Sequence, residues 1–366
     1  MSFANPRCLA QLNTYSNEVR HAFQKTLDWL NQWACARSYG LGSRIPWDPQ
    51  YLVESLSDST IYMAYYTIAH LLHSTIDGSK LGPANVPANE MTDEVWDYIF
   101  LGKELPKTSI AKETLQQLRD SFEYWYPLDI RVSGKDLINN HLTFFLYNHA
   151  AIFDEANWPR GIRTNGHLML NGEKMSKSTG NSMTLREGVD KFGADATRIA
   201  LADAGDGMDD ANFEENNADS AVLRLHTERE WCELQVANAG NLRSGPEYTF
   251  LDKVFENEIN SLIEQTTAHY DATNYKAALK SALFDFQHAK SWYKEATVED
   301  VHQDLILRFI ETQALLIAPF APHWSEYIWR EVLKKVYLTC GVKLMYRMGL
   351  CKMLHSPHLR VQRIKL

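Results

Sequence analysis

Apolar residues recur at spacings of three and four along most of this chain, which is the period of one helix face. Between residues 16 and 36 this pattern predicts a helix that is capped by Ser16 or Asn17 and ended by Gly40 and Gly42. The same spacing predicts helices over residues 91–100, 110–122, 185–202, 218–238, 257–273, 275–296 and 301–318. Since residues 216–335 are almost purely helical, we expect them to form an antiparallel bundle.

Short β-rich runs interrupt the helical pattern in the first half of the chain. Residues 130–132 read as a strand that stops at Ser133-Gly134 and passes into an amphipathic helix, and residues 166–170 read as a second strand. Residues 54–66 fit either a strand followed by a helix or one buried helix. Ligands bind at the carboxyl ends of strands in doubly wound sheets, so the turn at Gly134 is a candidate site.

A hydroxyl-rich loop with two lysines follows the second strand. Residues 171–181 read Asn-Gly-Glu-Lys-Met-Ser-Lys-Ser-Thr-Gly-Asn, and their backbone N–H groups could point at phosphate. Lys174 and Lys177 could neutralise charge that develops on a leaving pyrophosphate, which favours nucleotidyl transfer. A basic surface turn is the alternative for such a short motif.

The turn after residue 132 carries a second candidate group. Gly134 would let adenosine approach the backbone closely, and Asp136 is placed to accept hydrogen bonds from ribose hydroxyls. His141 follows just over one helical turn later and can reach the same pocket. The alternative for His141 is a partly buried histidine whose hydrogen bonds are satisfied within the fold.

These motifs resemble a known family. Residues 171–181 resemble the KMSKS signature of class I aminoacyl-tRNA synthetases, and residues 166–180 as a whole resemble the cytosolic eukaryotic and archaeal leucyl-tRNA synthetases. Gly134, Asp136 and His141 match the class I pattern of Gly-x-Asp/Glu and a downstream His. Residues 28–47 resemble the segment with which leucyl-, isoleucyl- and valyl-tRNA synthetases re-enter the catalytic domain, where Arg37 is expected to touch ligand.

The resemblance implies substrates and site residues. Leucine, ATP with Mg²⁺, and tRNA(Leu) would be the partners, Lys174 and Lys177 would be catalytic, and no metal would be held by the protein itself. The leucine pocket would include Ser59, Tyr62 and His141, and Arg131 stands where some bacterial leucyl enzymes have Tyr. The implied ATP-binding residues are Gly134, Asp136, Gly166, His167, Lys174, Met175, Ser176, Lys177 and Ser178.

The fold that the resemblance implies is α/β followed by all-α, a partial Rossmann-like class I catalytic domain with a C-terminal helical bundle. We expect residues 1–47 to be a helical re-entry segment and residues 48–215 to be the C-terminal half of the catalytic domain. Residues 216–335 would be an anticodon-binding type of bundle, and residues 336–366 an atypical basic tail. Within these parts, Asp195 and Arg198 are expected to form a surface ion pair. Residues 203–210 are acidic but lack the spacing of an EF-hand calcium loop, so we expect a solvated turn between domains.

Composition and net charge limit which binding partners and which cellular compartment we expect for the chain. The net charge of −9 means that RNA contact would depend on local basic patches. The basic residues of the predicted bundle, Arg224, Arg229, Arg243, Lys276, Lys280, Lys290 and Lys294, are mixed with acidic ones. Five cysteines without paired spacing argue against zinc and disulfides. Without a secretory leader or a long apolar run, we expect a cytoplasmic protein with no membrane contact, and the sequence does not decide whether it joins a multi-synthetase complex.

Two features depart from the family pattern. The sequence has no His-x-Gly-His element, so we expect that the chain alone activates leucine poorly or not at all. A non-catalytic tRNA- or partner-binding fragment is the alternative function, whereas residues 54–63 and 171–181 disfavour another class I transferase. Residues 337–366 contain no Asp or Glu and do not resemble the family, so they are either an altered reading frame or a basic tail that contacts RNA.

Overall fold

The computed structural model describes residues 4–30, 33, 35–176, 178 and 180–335, and it divides into two compact units between Asn165 and Gly166. Lys177 and the predicted tail over residues 336–366 therefore lie outside the described residues. None of the helices in the described part of the chain is long and apolar enough to cross a membrane.

The first unit is mainly helical. Ser16 occupies the N-cap position of α2 with an extended backbone, as predicted, but the helix ends at Trp29, well before Gly40. The face of α2 that carries Val19 and Phe23 is buried. The described helices of this unit are α1 (Ala4–Gln11), α2 (Asn17–Trp29), α3 (Ser55–Asp58), α4 (Tyr62–Leu72), α5 (Asp93–Leu101), α6 (Lys112–Trp125) and α7 (Thr143–Ile152).

The ambiguous stretch over residues 54–66 is helical, and the strand before it ends at Val53. Strand β3 ends at Val53, and the Glu54 carboxylate then accepts a hydrogen bond from the Leu56 N–H, which caps α3. A 3₁₀ turn over Ser59–Ile61 leads directly into α4. Of the two alternatives that the sequence left open, the strand followed by a helix is therefore wrong for these residues, and the helical alternative holds as two helices joined by a 3₁₀ turn and not as one helix.

Two small sheets lie in the first unit. Strands β1 (Ala36–Arg37), β2 (Arg44–Ile45) and β3 (Asp48–Val53) form an antiparallel sheet in the order β1-β3-β2. Strand β4 (Arg131–Gly134) pairs in parallel with β5 (Ile162–Asn165), with Gly134 opposite Asn165. A 3₁₀ turn and a π-helical turn (Ile138–Leu142) then connect β4 to α7, so the carboxyl end of β4 opens into the candidate turn.

The second unit combines a small sheet with the helical bundle. Strand β6 (Leu168–Leu170) lies between β7 (Glu173–Lys174), which is antiparallel to it, and β8 (Ala211–Phe213), which is parallel. π-Helical turns over Lys280–Asp285 and Ile328–Val332 extend α12 and α15. Its described helices are α8 (Leu185–Phe192), α9 (Ala194–Ala204), α10 (Glu215–Ala237), α11 (Phe250–Asp271), α12 (Tyr275–Leu279), α13 (Phe286–Ala296), α14 (Gln303–Leu316) and α15 (Pro322–Tyr327).

The prediction of one helix over residues 185–202 is wrong, because the chain breaks at Gly193. This glycine has φ +79°, a value that L side chains rarely adopt, and it ends α8 before α9 begins. Thr184 starts α8 with a capping box in which its hydroxyl accepts from the Glu187 N–H. The apolar period continues through the break, which is why it predicted a single helix.

The predicted surface ion pair between Asp195 and Arg198 is also wrong. Asp195 is buried, and its carboxylate accepts the Trp324 N–H at 2.7 Å and lies 2.9 Å from the His323 Nδ1. Arg198 instead donates to the Phe320 carbonyl at 3.0 Å. The start of α15 offers backbone N–H groups without helical partners, and these bind the buried carboxylate.

One hydrophobic core joins the sheet of the second unit to its bundle. Leu170, Phe192 and Phe213 belong to the same buried cluster as Phe255 and Phe309 of the bundle. The compact units therefore divide before residue 166, whereas the predicted domain boundary follows residue 215. The acidic turn over residues 203–210 lies inside the second unit, where its carboxylates accept backbone N–H groups.

Candidate functional site

Gly134 lies at the carboxyl end of β4, directly under the carboxylate of Asp136. A Cβ atom placed on Gly134 would come within 2.6 Å of the Asp136 Oδ1, so any side chain here would push that carboxylate away. The side chain of Asp136 is exposed, and its backbone carbonyl accepts the Asn140 amide at 3.2 Å. An exposed carboxylate beside a bare backbone can accept hydrogen bonds from the hydroxyls of a bound sugar.

His141 is buried at the start of the helix that follows. Its Nδ1 lies 3.2 Å from the Leu56 carbonyl and 3.3 Å from the Ser59 hydroxyl. A carbonyl oxygen can only accept, so Nδ1 carries the proton and donates it to Leu56. Its ring stacks on Tyr62 with 6.2 Å between centroids and 19° between planes. The structure thus brings together the three residues that the resemblance assigned to leucine.

The charge state of His141 follows from its surroundings. Burial lowers the pKa of its ring below the usual value, and the positive charge of Arg131 lowers the pKa further. The hydrogen bond to the Leu56 carbonyl acts in the opposite direction, but it does not reverse the shift. A neutral imidazole stacked on a phenol ring is a compact wall without net charge.

An apolar cavity of about 450 Å³ adjoins Tyr62. Its lining also includes Ile61, Tyr65, Trp96 and Phe100. Ser59 and His141 do not line it, so Tyr62 is the predicted leucine residue that faces this space. The cavity is large enough for an aliphatic side chain.

The loop over residues 171–181 in the second unit, here called the lysine loop, starts from a tight hairpin. Asn171 and Gly172 have φ values of +49° and +84°, and they connect β6 to β7 with Met169 opposite Lys174. Two central residues with positive φ are typical of the type I′ turn that Asn-Gly favours. Lys174 is exposed at the end of β7, and it forms no ion pair with the residues that the structure describes.

The neck of the loop is closed by backbone pairing. The Ser176 N–H donates to the Asn181 carbonyl at 2.8 Å, and the hydroxyls of Ser176 and Ser178 lie 2.8 Å apart. Met175 is half-buried and packs against the core of the second unit. Lys177 lies between Ser176 and Ser178 in sequence but outside the described residues, so its role remains a prediction from the resemblance.

Gly166 and His167 precede β6, where β8 comes close. A Cβ on Gly166 would lie 2.1 Å from the Asp209 carbonyl oxygen, a contact with backbone that cannot move aside easily. The His167 N–H donates to the Asp210 carboxylate at 2.9 Å, and its exposed ring is 3.5 Å from the same oxygen. The ring of His167 therefore lies at the surface beside a carboxylate.

Replacing Gly166 with alanine should destabilise the second unit by about 1–3 kcal/mol, the usual cost of forcing an atom into packed structure. Gly207 is the matched control, because a Cβ there would meet no atom within 4 Å and its φ is not positive. Urea unfolding of Gly166→Ala and Gly207→Ala would measure the difference. Equal stability of the two variants would show that the backbone near Asp209 moves to accommodate the added methyl group, which would contradict the prediction.

Arg37, the re-entry residue that was expected to touch ligand, forms an ion pair with the Glu54 carboxylate. Sequence reasoning gave no role to Leu56 or Arg131, although both contact the Ser59–Tyr62–His141 group. These contacts join residues 69 and 85 positions apart, and no local pattern signals them. Arg131 could have been singled out only as a departure from the Tyr of some bacterial leucyl enzymes.

Metal-binding side chains do not cluster in the described part of the chain. No group of three or more His, Cys, Asp or Glu residues is placed there to hold a metal ion. Cys8 and Cys232 are buried free thiols, and burial raises the pKa of the Cys8 thiol to about 12. Cys35 is free and exposed.

Family models match part of the first unit and most of the second. Residues 92–223 match the model described as tRNA synthetases class I (M), and residues 252–341 match the anticodon-binding domain of tRNA ligase. The first match includes Gly134, Asp136 and the lysine loop. The second covers α12, α13, α14 and α15, together with most of α11.

Curated relatives are similar over most of this chain. It is 63% identical over 331 residues to the putative cytoplasmic leucine–tRNA ligase of Schizosaccharomyces pombe, covering 90% of this chain and 30% of that protein. It is 58% identical to the cytoplasmic leucine–tRNA ligase of Saccharomyces cerevisiae, and the match covers 89% of this chain and 30% of that protein. The cytoplasmic leucine–tRNA ligase of Pongo abelii is 54% identical, and the match covers 88% of this chain and 28% of that protein. The chain thus spans about 30% of the length of these relatives.

Solved structures share the fold at low sequence identity. Mycobacterium tuberculosis methionyl-tRNA synthetase in complex with methionyl-adenylate has a TM-score of 0.59 at 17% identity, covering 88% of this chain and 60% of that one. The ternary complex of Agrobacterium radiobacter K84 LeuRS with tRNA and LeuAMS has a TM-score of 0.54 at 17% identity, covering 80% and 35%. From the family models and the curated relatives together, the chain belongs to the class I aminoacyl-tRNA synthetases, in the leucine–tRNA ligase branch.

Proposed function

We propose that this chain is the part of a cytoplasmic leucine–tRNA ligase that carries the second half of the catalytic site and the anticodon-binding bundle. The full enzyme would activate leucine with ATP and transfer it to tRNA(Leu) for translation. One observation carries this proposal: relatives named leucine–tRNA ligase share 54–63% of their residues with about nine-tenths of this chain.

The nucleotide would bind at two places. Gly134 and Asp136 would take the adenosine, since the carboxylate lies exposed over the bare backbone at the strand end. Gly166, His167, Lys174, Met175, Ser176, Lys177 and Ser178 would form the other ATP-binding set. In this set Lys174 and Lys177 would face the phosphates and act as the catalytic residues.

The leucine side chain would pack against the wall formed by Ser59, Tyr62 and His141. The ring of His141 is buried and neutral, which suits an apolar ligand better than a charged imidazole would. The Ser59 hydroxyl lies 3.3 Å from the same ring and the Tyr62 hydroxyl accepts from Arg131, so both hydroxyls of the wall already have partners. A wall of this kind favours an aliphatic side chain over a polar one.

In the first step a leucine carboxylate oxygen attacks the α-phosphorus of ATP, and the bond from that phosphorus to the bridging oxygen breaks. Negative charge grows on the departing pyrophosphate, where a lysine ammonium stabilises the transition state more than the ground state. Mg²⁺ bound to ATP would neutralise further phosphate charge, with ligands from the nucleotide. In the second step a terminal ribose hydroxyl of tRNA attacks the leucyl carbonyl, and AMP leaves.

The contact with tRNA would use the bundle. Several of its basic residues are bound to carboxylates, such as Arg243 to Asp252 at 2.6 Å and Lys290 to Glu228 at 2.6 Å. These two cations stabilise the fold and are not available to phosphate. The match to the anticodon-binding model, together with the tRNA in the LeuRS complex, supports this part of the proposal.

A second candidate function is a non-catalytic module that binds tRNA or a protein partner. One observation favours it: residues 252–341 match the model described as the anticodon-binding domain of tRNA ligase. A module of this kind would keep the bundle, but it would not bind the adenylate. Ligand binding therefore separates the two functions.

Calorimetry with ATP and with leucyl sulfamoyl adenosine, a stable analogue of the adenylate, tests the proposal. We expect both to bind and Asp136→Ala to weaken binding about tenfold or more, because a hydrogen bond to a charged group contributes about 1.5–3 kcal/mol. Asp129→Ala is the matched control, since Asp129 is an exposed carboxylate just before β4. Absence of nucleotide binding would favour the module, and equal binding by Asp136→Ala would remove Asp136 from the site.

A further inference from the structure

Arg131, the first residue of β4, contacts Tyr62 in two ways. Its Nη2 donates a hydrogen bond to the Tyr62 hydroxyl. The central carbon of the guanidinium also lies 5.5 Å from the centroid of the Tyr62 ring, within the range of a cation–π interaction. One cation thus holds both the polar end and the ring of this side chain.

No carboxylate among the described residues forms an ion pair with Arg131. Its Nε is buried and has no hydrogen-bond partner in the structure. A half-buried cation without a counter-ion depends on the partners that it has, because leaving it unpaired costs free energy. Tyr62 is therefore the side chain to which Arg131 is bound most closely.

The other face of Tyr62 is fixed by His141. The two rings stack at 6.2 Å, and His141 is itself fixed by the Leu56 carbonyl and the Ser59 hydroxyl. Tyr62 in turn forms part of the lining of the 450 Å³ apolar cavity. Any rotation of the Tyr62 ring would change the shape of that cavity, and the hydrogen bond from Arg131 opposes such a rotation.

We propose that Arg131 is the positioning residue that sets the amino-acid specificity of this site, by fixing Tyr62 through its hydroxyl and ring. This inference rests on the proposed function, because it assumes that Tyr62 faces the leucine side chain. Leucine, isoleucine and methionine differ by the placement of one or two heavy atoms. A pocket discriminates among such side chains by only about 1–3 kcal/mol, so it depends on walls that do not move.

The test compares the affinities of the full chain for leucyl, isoleucyl and methionyl sulfamoyl adenosine. Arg131→Met keeps the unbranched stem but removes the charge and the donors. We expect the preference for the leucyl compound over the other two to fall about tenfold in Arg131→Met and in Tyr62→Phe. Arg131→Lys, which keeps a cationic donor, should restore part of the preference.

The double variant Arg131→Met/Tyr62→Phe decides whether Arg131 acts through Tyr62. If it does, the double variant loses no more preference than Arg131→Met alone, since both changes remove the same interaction. Independent losses that multiply would overturn the inference, and so would an unchanged preference in Arg131→Met.

A measurement without ligand keeps the inference separate from the proposed function. NMR of ¹³C-labelled tyrosine rings in the free chain would report the mobility of Tyr62. We expect its ring to flip at least tenfold faster in Arg131→Met than in the unchanged chain, whereas Tyr98, which contacts Arg119 instead, should keep its rate. An unchanged flip rate of Tyr62 would overturn the inference. Failure of the unchanged chain to bind the leucyl compound would instead overturn the proposed function.

Discussion

Replacing Lys174 with alanine should lower kcat for leucine-dependent pyrophosphate exchange about 10²-fold or more and leave KM for ATP nearly unchanged. The charge of Lys174 is exposed and unpaired within the described residues, so it is free to meet a ligand. Charge on the departing pyrophosphate develops only as the transition state forms. A lysine that meets this charge therefore acts on the rate more than on the binding of ATP.

The assay measures the activity proposed for the full-length relatives, of which this chain spans about 30%. A chimaera in which the chain replaces the matching segment of the Schizosaccharomyces pombe relative would supply the rest, and 63% identity makes such a replacement feasible. Lys177→Ala should behave in the same way as Lys174→Ala. Lys191→Ala is the control, because Lys191 is an exposed lysine of α8 that pairs with Glu215.

The lysine loop is a binding surface only if Lys174→Ala and Lys177→Ala both raise KM for ATP and leave kcat intact. That result would contradict the catalytic assignment. A loss of kcat in the Lys191→Ala control would mean that the effect comes from net charge and not from the loop.

Features that depend on neighbouring residues could be predicted from the sequence. The strand end at Gly134 and the helices of the bundle follow from local periodicity and glycine placement. The sharp turn of the lysine loop at Asn171-Gly172 is likewise a local feature, because both residues adopt positive φ readily. These elements hold the residues that the resemblance assigned to ATP, and that assignment stays a prediction.

Features that depend on distant contacts could not be predicted. The sequence placed Asp195 and Arg198 one turn apart and suggested an ion pair, but partners more than 120 residues later take both side chains. Asp195 binds the start of α15, and Arg198 binds the Phe320 carbonyl just before that helix. The contact of Arg131 with Tyr62 also crosses between elements, and no periodicity reports it. Buried polar groups choose partners according to tertiary packing, which outweighs the weak attraction of an exposed pair along one helix.

Asp252, near the start of α11, is a buried carboxylate of the bundle with several hydrogen-bond donors. It is fully buried and accepts hydrogen bonds from Arg243 at 2.6 Å, from the Thr249 N–H at 2.8 Å and from the Tyr293 hydroxyl. The Tyr293 hydroxyl in turn accepts the His302 N–H at 2.9 Å. This carboxylate therefore links the loop residue Arg243 to Thr249, the N-cap of α11. Through the Tyr293 hydroxyl of α13 it is also linked to His302, the N-cap of α14.

Asp252→Ala should lower the free energy of unfolding of the chain by about 3 kcal/mol, the lower end of the cost of breaking a buried ion pair. The lower end applies because Arg243 keeps a second carboxylate, Asp300, at 3.3 Å. Urea unfolding at pH 7 measures the change. Asp219→Ala, at an exposed position of α10, should stay within about 0.5 kcal/mol of the unchanged chain.

The same carboxylate predicts a dependence on pH. Burial alone would raise the pKa of Asp252, but the hydrogen bonds from Arg243, Tyr293 and Thr249 outweigh burial and hold the pKa well below its usual value. A lowered folded-state pKa means that the stabilisation is complete above the unfolded-state pKa of about 3.9 and is lost as the pH falls below it. Asp252→Asn cannot titrate, so its stability should fall less between pH 5 and pH 3 than that of the unchanged chain. Parallel pH curves for the two proteins would show that Asp252 does not carry the acid sensitivity of the bundle.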